Sequence, residues 1–242
     1  MTERQTRAIL LDIEGTTTPF EFVYETLFPF ARAHVGEFIE RHQLAAEVRA
    51  DIEALKAERR ADVESGCEPP AWPDGSRVEA ATRYVHWLMD LDRKSTALKS
   101  LQGKVWEEGY RSGQLKGQVY ADVPPAFARW RAQQRSIYIF SSGSVLAQRL
   151  LFAHTTVGDL TAYLDGYFDT NTGAKAVRAS YEAICAATGV EAAEVLFVSD
   201  VTAELDAARD GGLLTALCVR PGRPAPEPRG HTVVETFDPL FP

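Results

Sequence analysis

Four short runs of mostly apolar residues constrain what this chain can fold into. They are "AILLDI" (8–13), "SIYIF" (136–140), "EVLFVS" (194–199) and "LLTALCV" (213–219), with a shorter candidate at "HTVVE" (231–235). Each is too short for a helix of ordinary length, and each reads as a strand covered on both faces. From residue 122 onward they alternate with helical stretches that begin near Ser144, Ser180 and Thr202, the last stopping at Gly211 and Gly212. Strands alternating with helices imply a parallel sheet, helices on both faces and right-handed crossovers. The expected fold class is therefore α/β, with a Rossmann-like parallel sheet.

Between the first strand and the rest lies a block with no convincing strand. Pro29 stands near a helix start, with Phe30, Val35, Phe38 and Ile39 following at helical spacing. Leu44, Val48, Ile52 and Leu55 fall on one face of a second helix. Ser76 and Glu79 form a capping box for a third, and a fourth covers "STALKSLQGKVWEEGYRSG". The expected organisation is a core made of 1–18 and 122–242, interrupted by an all-helical insertion at 19–121.

Composition narrows the function. The chain has 242 residues, of which 45% are hydrophobic, enough for a substantial core. Its net charge of −8 repels nucleic acid, and no basic cluster offsets it. No stretch approaches the ~20 apolar residues of a membrane span, and the first residues lack a signal-peptide pattern. The expectation is a soluble, cytoplasmic, monomeric protein that partners neither nucleic acid nor membrane. Cys67, Cys185 and Cys218 are too scattered for a disulfide framework or a metal motif, so Cys185 and Cys218 read as buried thiols. His34, His42, His86, His154 and His231 show no metal-ligand spacing and read as packed or exposed.

Ligands of open parallel sheets bind beyond the carboxyl ends of the strands. Those ends offer Asp12 and Glu14, then Ser141 and Ser142, then Ser199, Asp200 and Glu204. Lys175 precedes a helix in between. Asp12 and Glu14, two residues apart, point to one side of an ideal strand. Like charges that close need a cation between them, or one must be protonated. A divalent ion with oxygen ligands meets the first condition, Asp200 would complete its shell, and such a shell suits Mg²⁺. Gly15 allows a tight turn, and Ser141 and Lys175 supply donors for an oxyanion.

In order along the chain, "DIEGT" at Asp12 to Thr16, Ser141, Lys175 and "SDVTAE" around Asp200 resemble the motifs of the haloacid dehalogenase-like hydrolases. The longer stretches "LLDIEGTTTPFEFV", "LKSLQGKVWEEGYRSGQLKGQVYADVP", "FSSGSVLAQRLLF" and "YFDTNTGAK" are similar to the enolase-phosphatase family of methionine salvage, from about residue 8 to about 222. Glu14 takes the place of the usual superfamily Asp, as in that family. The resemblance implies a haloacid dehalogenase-like core with a helical cap and one Mg²⁺ held by Asp12, Glu14 and Asp200. Asp12 would be the nucleophile, Glu14 the acid and base, and Lys175 a catalytic and phosphate-binding cation. Ser141 and Ser142 would hold phosphate oxygens, and Thr16 would orient Asp12.

The implied substrate is a small phosphorylated diketone, 2,3-diketo-5-methylthiopentyl 1-phosphate, which would be enolised and then dephosphorylated. Glu204 reads equally as a metal support or a surface acid. Trp106 and Tyr110 read as insertion core, with Lys99, Gln102 and Gly103 nearby as specificity candidates. The rival readings are a sugar-phosphate phosphatase or mutase, a metal-free dehalogenase, and a non-catalytic binding module.

Overall fold

The computed structural model describes residues 6–73, 75 and 77–242. They form two compact units, one built from residues up to Val23 and from Lys116–Pro242, the other from Tyr24–Leu115. The chain opens with strand β1, Ala8–Leu11, buried at every position.

The unit Tyr24–Leu115 holds helices α1 (Phe28–His42), α2 (Ala46–Glu64), α3 (Arg77–Asp90) and α4 (Thr96–Arg111), and no strand among its described residues. Pro29 lies in the first turn of α1, where its missing N–H costs nothing. Ser95 caps α4, its Oγ accepting from Leu98 N at 3.1 Å. Buried Ala31, Val35, Phe38 and Ile39 of α1 recur at helical spacing, as do Val48, Ile52 and Leu55 of α2. Leu44 departs from its expected place. It precedes α2 and is 86% exposed, because the helix begins at Ala46 and the apolar stripe with it. The capping box assigned to Ser76 lies outside the described residues. Trp106 and Tyr110 are buried within the unit, and Trp106 Nε1 donates to Leu27 O at 2.9 Å. Asp62 is buried there too, accepting from Tyr84 Oη at 2.6 Å and Arg93 Nη2 at 2.7 Å.

The rest of the chain supplies α5 (Val123–Ala132), β2 (Ser136–Phe140), α6 (Val145–Ala153), β3 (Gly166–Phe168), α7 (Arg178–Thr188), β4 (Val195–Ser199), α8 (Thr202–Asp210), β5 (Leu214–Cys218) and β6 (Thr232–Val234). These strands and β1 make one parallel sheet in the order β3-β2-β1-β4-β5-β6. The order reverses at β1, so right-handed crossovers place helices on both faces. The expected α/β class holds. Sequence reading had no β3, a three-residue strand too short to carry a period.

Register aligns the carboxyl ends. Leu11 faces Ile139 of β2 and Val198 of β4, and Phe140 faces Phe168 of β3. The ladder runs one residue further through Asp12 N to Val198 O at 3.0 Å and Ser141 N to Phe168 O at 3.2 Å. The residues that follow the strands therefore share one edge. The buried thiols are partly a correction: Cys218 is buried, but Cys185 is only half-buried and Cys67 is exposed, all three free.

Candidate active site

Asp12 follows β1 directly and is almost completely buried. Its Oδ1 accepts from its neighbour Ile13 N at 2.7 Å and from Lys175 Nζ at 2.5 Å. Lys175 also lies 2.6 Å from Glu204 Oε2. One ammonium thus bridges two carboxylates contributed from residues far apart in the chain. Burial opposes the Lys175 charge, but Asp12 and Glu204 outweigh it and hold its pKa above the ordinary lysine value.

The chain around Lys175 is pinned through its carbonyls. Tyr181 Oη donates to Lys175 O at 2.6 Å, and Ser180 Oγ donates to Ala174 O at 2.7 Å. Tyr181 itself is packed against Phe140 and Phe197 in the core. The lysine is thereby preorganised by residues that never touch the site.

Asp200 follows β4 as Asp12 follows β1. Gly15 makes its approach feasible: a Cβ there would lie 2.7 Å from Asp200 Oδ2 and 2.3 Å from Phe20 Cε2. Gly15 also has φ +71°, a conformation that L residues seldom adopt. Burial first, and then the Asp12 charge, push Asp200 up to about 7. The same two causes, in the same order, push Glu14 up to about 7. Burial and Asp12 raise Glu204 as well. Four acids crowd round one lysine, and burial with the Asp12 charge raises Glu14, Asp200 and Glu204 above their ordinary values.

This crowding is the test of fit for a hard cation. Asp200 Oδ1 is buried and has no hydrogen-bond partner among the described residues, which is costly for a carboxylate oxygen unless a cation meets it. Among the described residues no three His, Cys, Asp or Glu side chains form a ready metal cluster. Asp12, Glu14 and Asp200 are the donor set that the sequence suggests. Asp12 and Asp200 with a main-chain carbonyl would be a different donor set, and hard oxygen donors of that kind suit Mg²⁺.

Ser141 stands at the same edge, buried, but its Oγ is turned to its own loop and accepts from Gly143 N at 3.1 Å. The side chain of Ser142 is exposed. This loop is braced by groups that sequence reasoning missed. Gln148 Nε2 donates to Gly143 O and to Phe168 O, both at 2.8 Å. Buried Asp169 accepts from Val145 N at 3.2 Å and Asn171 N at 2.9 Å, so one carboxylate ties the Ser141 loop to the segment leading to Lys175. Ser199, set among the strand-end residues without a role, donates to Glu204 Oε2 at 2.9 Å and lies 3.4 Å from Asp12 Oδ2. Thr16 is buried but its hydroxyl has no partner among the described residues; Thr17 Oγ1 instead donates to Asp12 O at 3.0 Å.

A family model described as haloacid dehalogenase-like hydrolase matches residues 6–212. The chain is 52% identical over 232 residues to a Synechococcus elongatus protein named Enolase-phosphatase E1, covering 96% of each. It is 46% identical over 236 residues to the Enolase-phosphatase E1 of Sorangium cellulosum, covering 98% of this chain and 97% of that one. The crystal structure of the UTR4 protein of Saccharomyces cerevisiae matches with a TM-score of 0.79 at 37% identity, covering 97% of this chain and 100% of that one. The HAD-hydrolase YfnB of Bacillus subtilis, at 16% identity and a TM-score of 0.55, shares the fold. With aligned strand ends, a lysine shared between carboxylates, and a family match along most of its length, this chain belongs to the haloacid dehalogenase-like hydrolases.

Proposed function

We propose that the protein is a Mg²⁺-dependent enolase-phosphatase. It converts 2,3-diketo-5-methylthiopentyl 1-phosphate to 1,2-dihydroxy-3-keto-5-methylthiopentene and phosphate, the reaction of methionine salvage. The observation that carries the reading is Asp12: a buried carboxylate at the end of the central strand, held by Lys175, in a chain 52% identical to an Enolase-phosphatase E1 over nearly its whole length.

In this reading Asp12 attacks phosphorus, a P–O bond to Asp12 forms, and the P–O bond to the substrate breaks. Glu14 gives its proton to the departing oxygen. A pKa near neutrality suits that task and the reverse one, in which Glu14 takes a proton from the water that cleaves the aspartyl-phosphate. Lys175 keeps Asp12 ionised and offsets the phosphoryl charge. Ser141 and the Ser142 backbone receive phosphate oxygens once the loop turns its donors outward. Asp12, Asp200 and the Glu14 main-chain carbonyl would hold Mg²⁺, which when bound supplies charge neutralisation and polarises a substrate carbonyl. The helical unit Tyr24–Leu115 is read as the family's helical insertion. No helix of the described residues is long and apolar enough to cross a membrane. A monomer acting in the cytoplasm is part of the same reading.

The test is to mix the diketone phosphate, Mg²⁺ and protein and follow enol absorbance together with free phosphate. Enol should precede phosphate, EDTA should stop both, and Asp12→Asn should release almost no phosphate. An Asp12→Asn protein that keeps more than a small fraction of wild-type phosphate release refutes the covalent route.

A further inference from the structure

Arg220 stands two residues beyond β5 and is 2% exposed. Its charge serves no step of the reaction described above. Nε and Nη2 donate to the Thr16 carbonyl at 3.0 and 2.5 Å, and Nη1 donates to Asp122 Oδ2 at 2.7 Å. Its guanidinium carbon lies 4.1 Å from the centre of the Tyr120 ring and 4.7 Å from that of Phe237. Asp122 Oδ2 also accepts from Phe237 N at 2.6 Å. Burying a guanidinium is costly unless every donor is met, and an apolar side chain of similar volume would fill the space more cheaply. The informative fact is which carbonyl it grips.

Thr16 lies in the loop that carries Asp12 and Glu14. Within that loop Ile13 O accepts from Thr16 N, Thr17 N and Thr18 N, and Gly15 N donates to Thr18 O. These bonds coil the loop but fix it to nothing else. The Thr16 and Thr18 hydroxyls, both buried, have no partner among the described residues and do not anchor it. Two links run outward on this side, Tyr120 N to Thr17 O at 3.0 Å and the doubled bond from Arg220.

We propose that Arg220, held by Asp122, is a positioning residue for the nucleophile loop: it fixes the Thr16 carbonyl so that Asp12 and Glu14 keep their register with Lys175 and Asp200. The planar fork matters, because two donors meet one carbonyl while a third meets the carboxylate, which an ammonium on a flexible stem does not reproduce. The effect on rate rests on the phosphatase reading; the anchoring of the loop does not.

The variants are Arg220→Met, Arg220→Lys and the double variant Arg220→Met with Asp122→Asn. For each, Tm is measured, amide exchange is followed for peptides covering 10–18 and 195–205, and kcat and KM are measured for the diketone phosphate and for p-nitrophenyl phosphate. Arg220→Met should lower Tm and speed exchange in 10–18. The double variant leaves no unpaired buried charge and should regain most of the Tm. It should still show fast exchange in 10–18 and a kcat about 10–100-fold down with KM within about 3-fold, as misplacement of a reacting group does. Arg220→Lys should fall between. A double variant with wild-type exchange in 10–18 and wild-type kcat overturns the proposal, as does exchange that rises equally in both peptides. If the wild type turns over only p-nitrophenyl phosphate, the substrate assignment fails and the kcat comparison proceeds on that ester. If it turns over neither, the exchange contrast alone decides.

Discussion

Replacing Gly15 by alanine adds one carbon at the centre of the site, and the structure sets what that carbon must do. At φ +71° an L residue is strained by about 1–2 kcal/mol. The new Cβ would meet Phe20 Cε2 at 2.3 Å and Asp200 Oδ2 at 2.7 Å, so the ring or the carboxylate must give by roughly 1 Å to restore ordinary contact. Overpacking of this kind adds about 1–3 kcal/mol. Gly189 provides the control. It follows α7 at φ +68°, and a Cβ there meets nothing within 4 Å, so Gly189→Ala carries the strain without the collision.

For a chain of this size 1 kcal/mol moves Tm by about 2–4 °C. Gly189→Ala should lose about 2–8 °C and Gly15→Ala about 4–20 °C, measured by thermal scanning. The sharper contrast is in phosphate release. A misplacement of about 1 Å beside the reacting groups costs about 10²-fold, so Gly15→Ala should be crippled while Gly189→Ala runs at nearly wild-type kcat. If Mg²⁺ binds as proposed, it should raise the Tm of the wild type and of Gly189→Ala, and raise that of Gly15→Ala less. Equal kcat in the two alanine variants would refute the claim that the space over Gly15 belongs to Asp200.

Lys175→Met leaves Asp12 and Glu204 facing each other without their shared cation. It should slow phosphate release by about 10²–10³-fold, read from steady-state rates. Burial raises the Asp62 carboxyl, but hydrogen bonds from Tyr84 and Arg93 outweigh it and hold it below its ordinary 3.8. The stability that Asp62 contributes is then full above that value and lost as pH falls through the lower, folded one. Asp62→Asn should flatten the acid limb of Tm against pH below about 4; an unchanged limb counts against the network. Truncation after Thr236 removes Phe237, Leu240 and Phe241, all buried, whose carbonyls accept from Arg129 and Trp130. At about 2 kcal/mol per buried apolar side chain the loss of ~6 kcal/mol should be plain in a thermal scan, and a Tm within a few degrees of the full chain would contradict it.

The strands legible in the sequence were those buried on both faces, since continuous apolar runs such as "AILL" and "VLFV" have few other fates in a chain of this length. Asp12 and Asp200 were legible for the same reason, because a charge immediately after such a run marks the strand's end. Gly166–Phe168 was not, since three residues show no period and pair with β2 alone. Arg220 was missed although its signal was present: it follows the apolar run of β5, at the same edge as Asp12, but the strand-end residues considered stopped at β4. Its partner Thr16 is 204 residues away, a pairing that only the folded sheet reveals. Gln148 and Asp169 brace backbone atoms, and local sequence carries no mark of that. The last twenty residues held no recognisable motif, yet the structure closes the core with four of their apolar side chains, Val234, Phe237, Leu240 and Phe241.

The place of β1 in the middle of the sheet has a consequence for the chain during its synthesis. Ile9 and Leu10 leave the ribosome before the strands that flank them and need partners on both sides, among them Leu196 and Phe197. At ~5–20 residues per second, those partners arrive roughly ten to forty seconds later. The helical unit, complete at Leu115, has its own partners well before then. The strand that ends at Asp12 is thus the part of the sheet that waits longest with its aliphatic side chains uncovered, and that wait is where a holding chaperone would matter most.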